Sequence, residues 1–120
     1  SSHPSAFWDF LPTACEAAGI SAPAGIDGIS YLPALTGHQQ REHEYLYWEF
    51  HEGSASSQAV RAGNWKAVRR SPSDSVELFN LATDIGEEHD IADENRKTAD
   101  RLTAVMIEAR ESSELWPLKG

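Results

Sequence analysis

The segment from Glu44 to Arg70 limits the fold more than any other stretch. In Glu44-Tyr-Leu-Tyr-Trp-Glu-Phe-His51 the large residues are mostly aromatic and alternate with a period of two. Leu46, Trp48 and Phe50 share one face; Tyr45, Tyr47, Glu49 and His51 share the other. An extended backbone places alternate residues on opposite sides, so this is a half-buried strand. Gly53–Ser57 is a run of small residues and reads as a flexible loop. Gln58–Ala62 and Trp65–Arg70 then flank Gly63-Asn64, a two-residue hairpin turn. Pro72–Ser75 is another turn, and Val76–Leu81 a further short strand. Four strands in such quick succession leave no room for crossovers, which predicts an antiparallel sheet.

Helices flank the sheet. Asp9 precedes Phe10-Leu-Pro12, where a proline in the first helical turn costs little. Phe10, Ala14, Ala17 and Ala18 recur at helical spacing, and Gly19 is a natural stop. Ser30-Tyr-Leu-Pro33 repeats the pattern in miniature and ends at Gly37. Two helices are expected, the second short, joined by the Pro/Gly-rich loop Ser21–Gly28. A closing helix is expected over roughly Asn95–Glu111. There Ala99, Leu102, Val105, Met106 and Ala109 form an apolar stripe suited to lie across one sheet face. The class is therefore α+β, with a helical segment over residues 1–40 and a sheet-and-helix subdomain over 41–120. The apolar tail Leu115-Trp-Pro-Leu118 either folds back on the sheet or docks on something else.

Composition narrows the function. At 120 residues and 40% hydrophobic, the chain can bury one modest core. A formal net charge of −9 argues against nucleic-acid binding, which needs a basic surface. No run approaches the ~20 apolar residues of a membrane span. The start, SSHPSAFWDF, lacks the basic and apolar regions of a signal peptide. It also lacks a start methionine, so the chain reads as a fragment or a processed product. The compartment stays undetermined, with a periplasmic or secreted full-length protein among the options.

Four places in the chain carry candidate chemistry. Asp84, Glu87, Glu88, Asp90, Asp93 and Glu94 place six carboxylates within eleven residues. Counted from Asp84, the third position is Gly86 and the fifth Glu88, so the calcium-loop pattern fails. His89 has no second histidine or cysteine at zinc spacing. A turn at Asp84 and Gly86, followed by acids near a helix start, explains the stretch without a metal. Cys15, alone inside a helix, reads as a small core residue. Glu49 and His51 project from one strand face at its end and are candidates to contact a polar ligand. Arg61, Lys66, Arg69 and Arg70 make the second hairpin basic; they attract an anion or pair with the acids after Asp84. No phosphate-binding loop, dinucleotide fingerprint, zinc-protease motif or nucleophile elbow occurs.

Four blocks carry a family resemblance. Glu77-Leu-Phe-Asn-Leu81 with Asp84-Ile-Gly-Glu-Glu-His-Asp-Ile-Ala92 resembles the "ELYDLENDPGETNNLA" signature of sulfatases of the arylsulfatase A-like branch. Residues 9–20, DFLPTACEAAGI, are similar to "DLLPTLLDLAGI", and residues 25–35, GIDGISYLPAL, to "DGVSLLPLL". Residues 61–68, RAGNWKAV, are similar to "VRDGDWKLI". Ile85 stands where the family usually has proline. The resemblance covers nearly the whole chain but only the C-terminal part of a sulfatase. It implies a hydrolase of sulfate esters whose catalytic centre lies upstream, so this chain alone is expected to be inactive and to hold no cofactor or metal. The full-length enzyme would use a formylglycine, made from Cys or Ser in C/S-x-P-S/A-R, and a calcium ion. Cys15 is followed by Glu-Ala-Ala-Gly and does not match that motif. The implied partners are the upstream catalytic domain, which the first two helices would border, and a sulfated glycan or aryl sulfate. The resemblance also implies a substrate-binding role for Glu49, His51 and Arg61, and self-association of the isolated chain. Two other readings stay open: an autonomous binding module, and a hydrolase of phosphate or phosphonate monoesters.

Overall fold

Strands β1 (Leu46–Glu52), β2 (Ala55–Ala62), β3 (Trp65–Arg69) and β4 (Glu77–Asn80) form one sheet in the order β1-β2-β3-β4. Every neighbouring pair is antiparallel. The structure is a computed structural model that describes residues 1–120, the side chain of Glu52 excepted. The chain divides into two units, Ser1–His43 and Glu44–Gly120.

Register builds the core of the second unit. Val60 pairs with Ala67, and Ala67 with Leu78, so all three stand on one sheet face. Helix α3 (Arg96–Glu108) lays Ala99, Leu102 and Met106 against them, and these six residues form the buried core. The expected stripe is the one used, and each fully buried aliphatic side chain contributes roughly 1.5–3 kcal/mol. The β2–β3 turn is Gly63-Asn64 as expected, with Gly63 at φ +58°, where only glycine is unstrained.

The first hairpin differs from expectation. Ala55, Ser56 and Ser57 are not a flexible loop. They belong to β2 and pair with Glu52, His51 and Phe50. The connection is the two-residue turn Gly53-Ser54. Their small side chains have weak strand preference, but cross-strand pairing decides. The acids after Asp84 also differ, because α3 begins only at Arg96 and has no acid in its first turn. Two of the carboxylates cap loop backbone instead. Asp84 accepts the N–H groups of Glu88 and His89, and these bonds lower its pKa. Asp90 accepts those of Leu78 and Ala92. Between the basic hairpin and this stretch, Lys66 pairs with Glu87 at 2.5 Å.

The first unit is organised by Asp9. After a single 3₁₀ turn, Phe7–Asp9, come α1 (Phe10–Ala17) and α2 (Leu32–Thr36). Asp9 caps no α1 donor; its carboxylate is buried and accepts the N–H of Ala6 at 2.7 Å and of Ile29 at 2.9 Å. His43 Nε2 approaches the same group at 2.8 Å. Thr13 Oγ1 donates to the Asp9 carbonyl and accepts the Tyr31 N–H. Helix α1 ends as expected at Gly19, whose N–H bonds to Glu16 O while the Ile20 N–H bonds to Cys15 O. Gly28 is required where it stands: a Cβ there would lie 2.3 Å from the Trp8 carbonyl oxygen. Phe7, Phe10 and Leu11 are exposed. Among the described residues no helix is long and apolar enough to cross a membrane.

Candidate functional site

Strand parity separates the residues that the sequence grouped. Glu49 pairs with Gln58 and His51 with Ser56, on the face that α3 covers. Arg61 pairs with Leu46 and Lys66, so it stands on the opposite, outer face.

On the inner face the polar side chains of β1 and β2 join one network. Tyr47 Oη donates to Glu49 Oε1 at 2.5 Å and accepts Gln58 Nε2 at 2.6 Å. Gln58 Oε1 in turn accepts Arg69 Nε at 2.8 Å. Burial first, and the bond to Glu49 second, push the Tyr47 phenol up to about 12. Arg110, just beyond α3, brings Nε within 2.8 Å of Glu49 Oε1. That nitrogen is buried and its N–H is not aimed at an acceptor, so the contact is one of charge rather than a formed hydrogen bond.

His51 extends the network to the tail. Its Nε2 lies 3.1 Å from Glu49 Oε2, and its Nδ1 2.7 Å from Ser56 Oγ. Ser56 Oγ also accepts the Lys119 N–H at 2.8 Å, while the Ser56 N–H donates to Lys119 O at 2.9 Å. The Ser56 hydroxyl thus bridges the His51 ring and the Lys119 amide, and the ring bridges Ser56 and Glu49. The Trp116 ring meets the His51 ring edge-on, with centroids 4.8 Å apart. The tail thus folds back on the sheet. Ser56, His51 and Glu49 have the contacts of a hydrolytic triad, yet Ser56 is fully buried and its oxygen is already used.

Sequence reasoning missed Arg110 as part of this cluster; for the tail it offered folding back on the sheet as one of two options, without its contacts to His51 and Ser56. Period-two alternation pairs residues within the sheet, and nothing in it signals a contact from Lys119, 63 residues beyond Ser56.

The outer face holds a shallow groove of about 330 Å³ lined by Trp48, Ala59, Arg61, Lys66, Ile85 and others. Arg61 Nε donates to Gly63 O and the side chain makes no ion pair among the described residues. Phe50, on the same face, is 64% exposed. Among the described residues no group of three or more His, Cys, Asp or Glu is placed to hold a metal.

Solved structures place this architecture. A 2-O GAG sulfatase superposes with a TM-score of 0.75 at 30% identity, over 84% of this chain and 23% of that one. The fold is thus that of a sulfatase C-terminal region, from the alkaline phosphatase superfamily. The model of the family described as "N-sulphoglucosamine sulphohydrolase, C-terminal" matches residues 6–112, and the chain belongs to that family. A Delta 4,5-hexuronate-2-O-sulfatase of Bacteroides thetaiotaomicron is 34% identical over 89 residues, which is 70% of this chain and 18% of that protein. Human arylsulfatase K is 30% identical over 95 residues, again 70% of this chain and 18% of the relative. The chain thus spans under a fifth of the length of these curated relatives.

Proposed function

We propose that this chain is the C-terminal part of a sulfatase that hydrolyses sulfate esters, and that the active centre is formed by residues upstream of it. The family match over residues 6–112 carries the reading. Relatives of this kind generally use a formylglycine and a metal ion, and in this reading the upstream part supplies a formylglycine and calcium. The residues present do not suit either. Cys15 is buried within α1 and followed by Glu-Ala-Ala-Gly.

The chain's own task is then to pack on the catalytic part and shape the substrate cleft. Arg61 offers an outward guanidinium beside Trp48, suited to a sulfate or carboxylate on a sugar. Glu49 and His51 stand on the opposite sheet face from Arg61, so they form a second, separate substrate-binding candidate, open only once the tail over them is lifted. The assay is sulfate release by the intact protein from a sulfated disaccharide and from a small aryl sulfate, with the matching phosphate ester as control. Sulfate is the expected product, and preferential phosphate release would overturn the reading. Arg61→Ala should lower kcat/KM for the disaccharide by about tenfold, the loss of one charge-assisted contact, and leave the aryl sulfate unaffected. An equal fall for both substrates would remove Arg61 from the substrate.

A further inference from the structure

We propose that residues 113–120 are a detachable strap that gates access to the Glu49–His51–Arg110 group. This rests on the substrate-binding reading of Glu49 and His51.

Three observations carry it. The first is where the family match ends. It stops at residue 112, and the strap lies beyond it. The second is what the strap covers. With it seated, the side chains of His51, Glu49 and Arg110 are only 6%, 14% and 14% exposed. Trp116 stands over the His51 ring, and its carbonyl accepts Arg110 Nη2 at 2.9 Å. The third is how lightly the strap is held. Leu115 is 93% and Trp116 58% exposed, and of the strap's apolar residues only Leu118 is half-buried. Its backbone attachment is the Lys119 exchange with Ser56. That exchange occupies an edge that β2 leaves open. Pairing of β2 with β3 begins only at Gln58, so the Ser56 N–H has no β3 partner. A segment with few buried contacts opens without the core. When this one lifts, Glu49 offers an acceptor, His51 and Arg110 offer donors, and a sugar's hydroxyls and anionic groups can use them.

Hydrogen exchange on the full-length protein tests the strap. The Ser56 amide should exchange about a hundredfold faster than the α3 amides of Leu102 and Met106, as expected of local opening. Trp116→Ala should speed Ser56 by a further factor of about ten and leave the helix amides unchanged. If Ser56 and the α3 amides exchange at one rate, the tail opens only with the core and the strap is overturned. Gating is read separately. Trp116→Ala, or a chain ending at Ser112, should raise kcat/KM for a sulfated disaccharide relative to an aryl sulfate, by about tenfold. Adding His51→Ala should cancel that gain. An unchanged ratio overturns the gating. Absence of sulfate-ester turnover in every variant overturns the sulfatase reading and leaves the exchange result standing.

Discussion

Asp9 and Tyr47 show how single polar groups set local structure in this chain. Burial alone would raise the Asp9 pKa, but the Ala6 and Ile29 N–H groups and His43 outweigh it, and the net shift is downward. A lowered carboxylate contributes stability above its unfolded value of 3.8 and loses it as pH falls through the folded pKa. Asp9→Asn puts an amide NH₂ where three donors converge, so it should cost about 2–3 kcal/mol at pH 7. Denaturant titrations across pH should show that cost shrinking as pH falls below the unfolded value of 3.8 toward the lower folded pKa. A cost independent of pH would deny the charge its role. Tyr47 titrates in the other direction. Its folded pKa of about 12 exceeds the ordinary 10, so its contribution is full below pH 10 and lost as pH rises through 12. Tyr47→Phe should cost about 1 kcal/mol, as Gln58 and Glu49 each lose a partner. The wild-type minus Tyr47→Phe phenolate absorbance should rise near pH 12. A rise near pH 10 would place the hydroxyl in water.

At the level of elements, the alternation in β1 and the stripe on α3 told most of the story. Periodicity is a property of the local chain, so both faces of β1 and the buried side of α3 could be read from it. Boundaries were less legible. Ala55–Ser57 look like loop residues and become strand because β1 supplies the partner. The acids at 84–94 look like a helix start, but Asp84 and Asp90 become loop caps because their oxygens reach nearby N–H groups. Glu49 and His51 share a strand-end face by alternation, Arg61 enters by its guanidinium, and parity puts Arg61 on the other face. The Arg110 and Lys119 contacts lay outside any local signal. Leu102 and Ile107 test the stripe. Leu102 is fully buried in the core and Ile107 is 61% exposed on the same helix. Leu102→Ala should cost about 2–5 kcal/mol in denaturant unfolding, and Ile107→Ala less than about 0.5. Equal costs would mean that α3 packs on another side.

For the whole molecule, the question is why so much apolar surface faces water. Phe50 is 64% and Ile85 79% exposed on the sheet-bearing unit, while Phe7 is 93% and Phe10 62% exposed on the helical one. Single exposed hydrophobics are ordinary; we propose that this many exposed aromatic groups face a partner in the complete protein. The chain accounts for only 18% of the length of its curated relatives, so an upstream catalytic part is the proposed cover. Separated from it, the chain should self-associate, with a sedimentation coefficient that rises with concentration. Phe10→Asp together with Phe50→Asp should reduce that rise. The melting temperature of the isolated chain should barely move, since exposed side chains contribute little to its core. In the intact protein the same pair should be harmful, because each carboxylate would be buried without a partner, at a cost of about 2 kcal/mol or more. The contrast between the two contexts is the decisive measurement. A pair that is tolerated equally in both would show that these faces stay in water in the complete protein, and the proposed packing would fall.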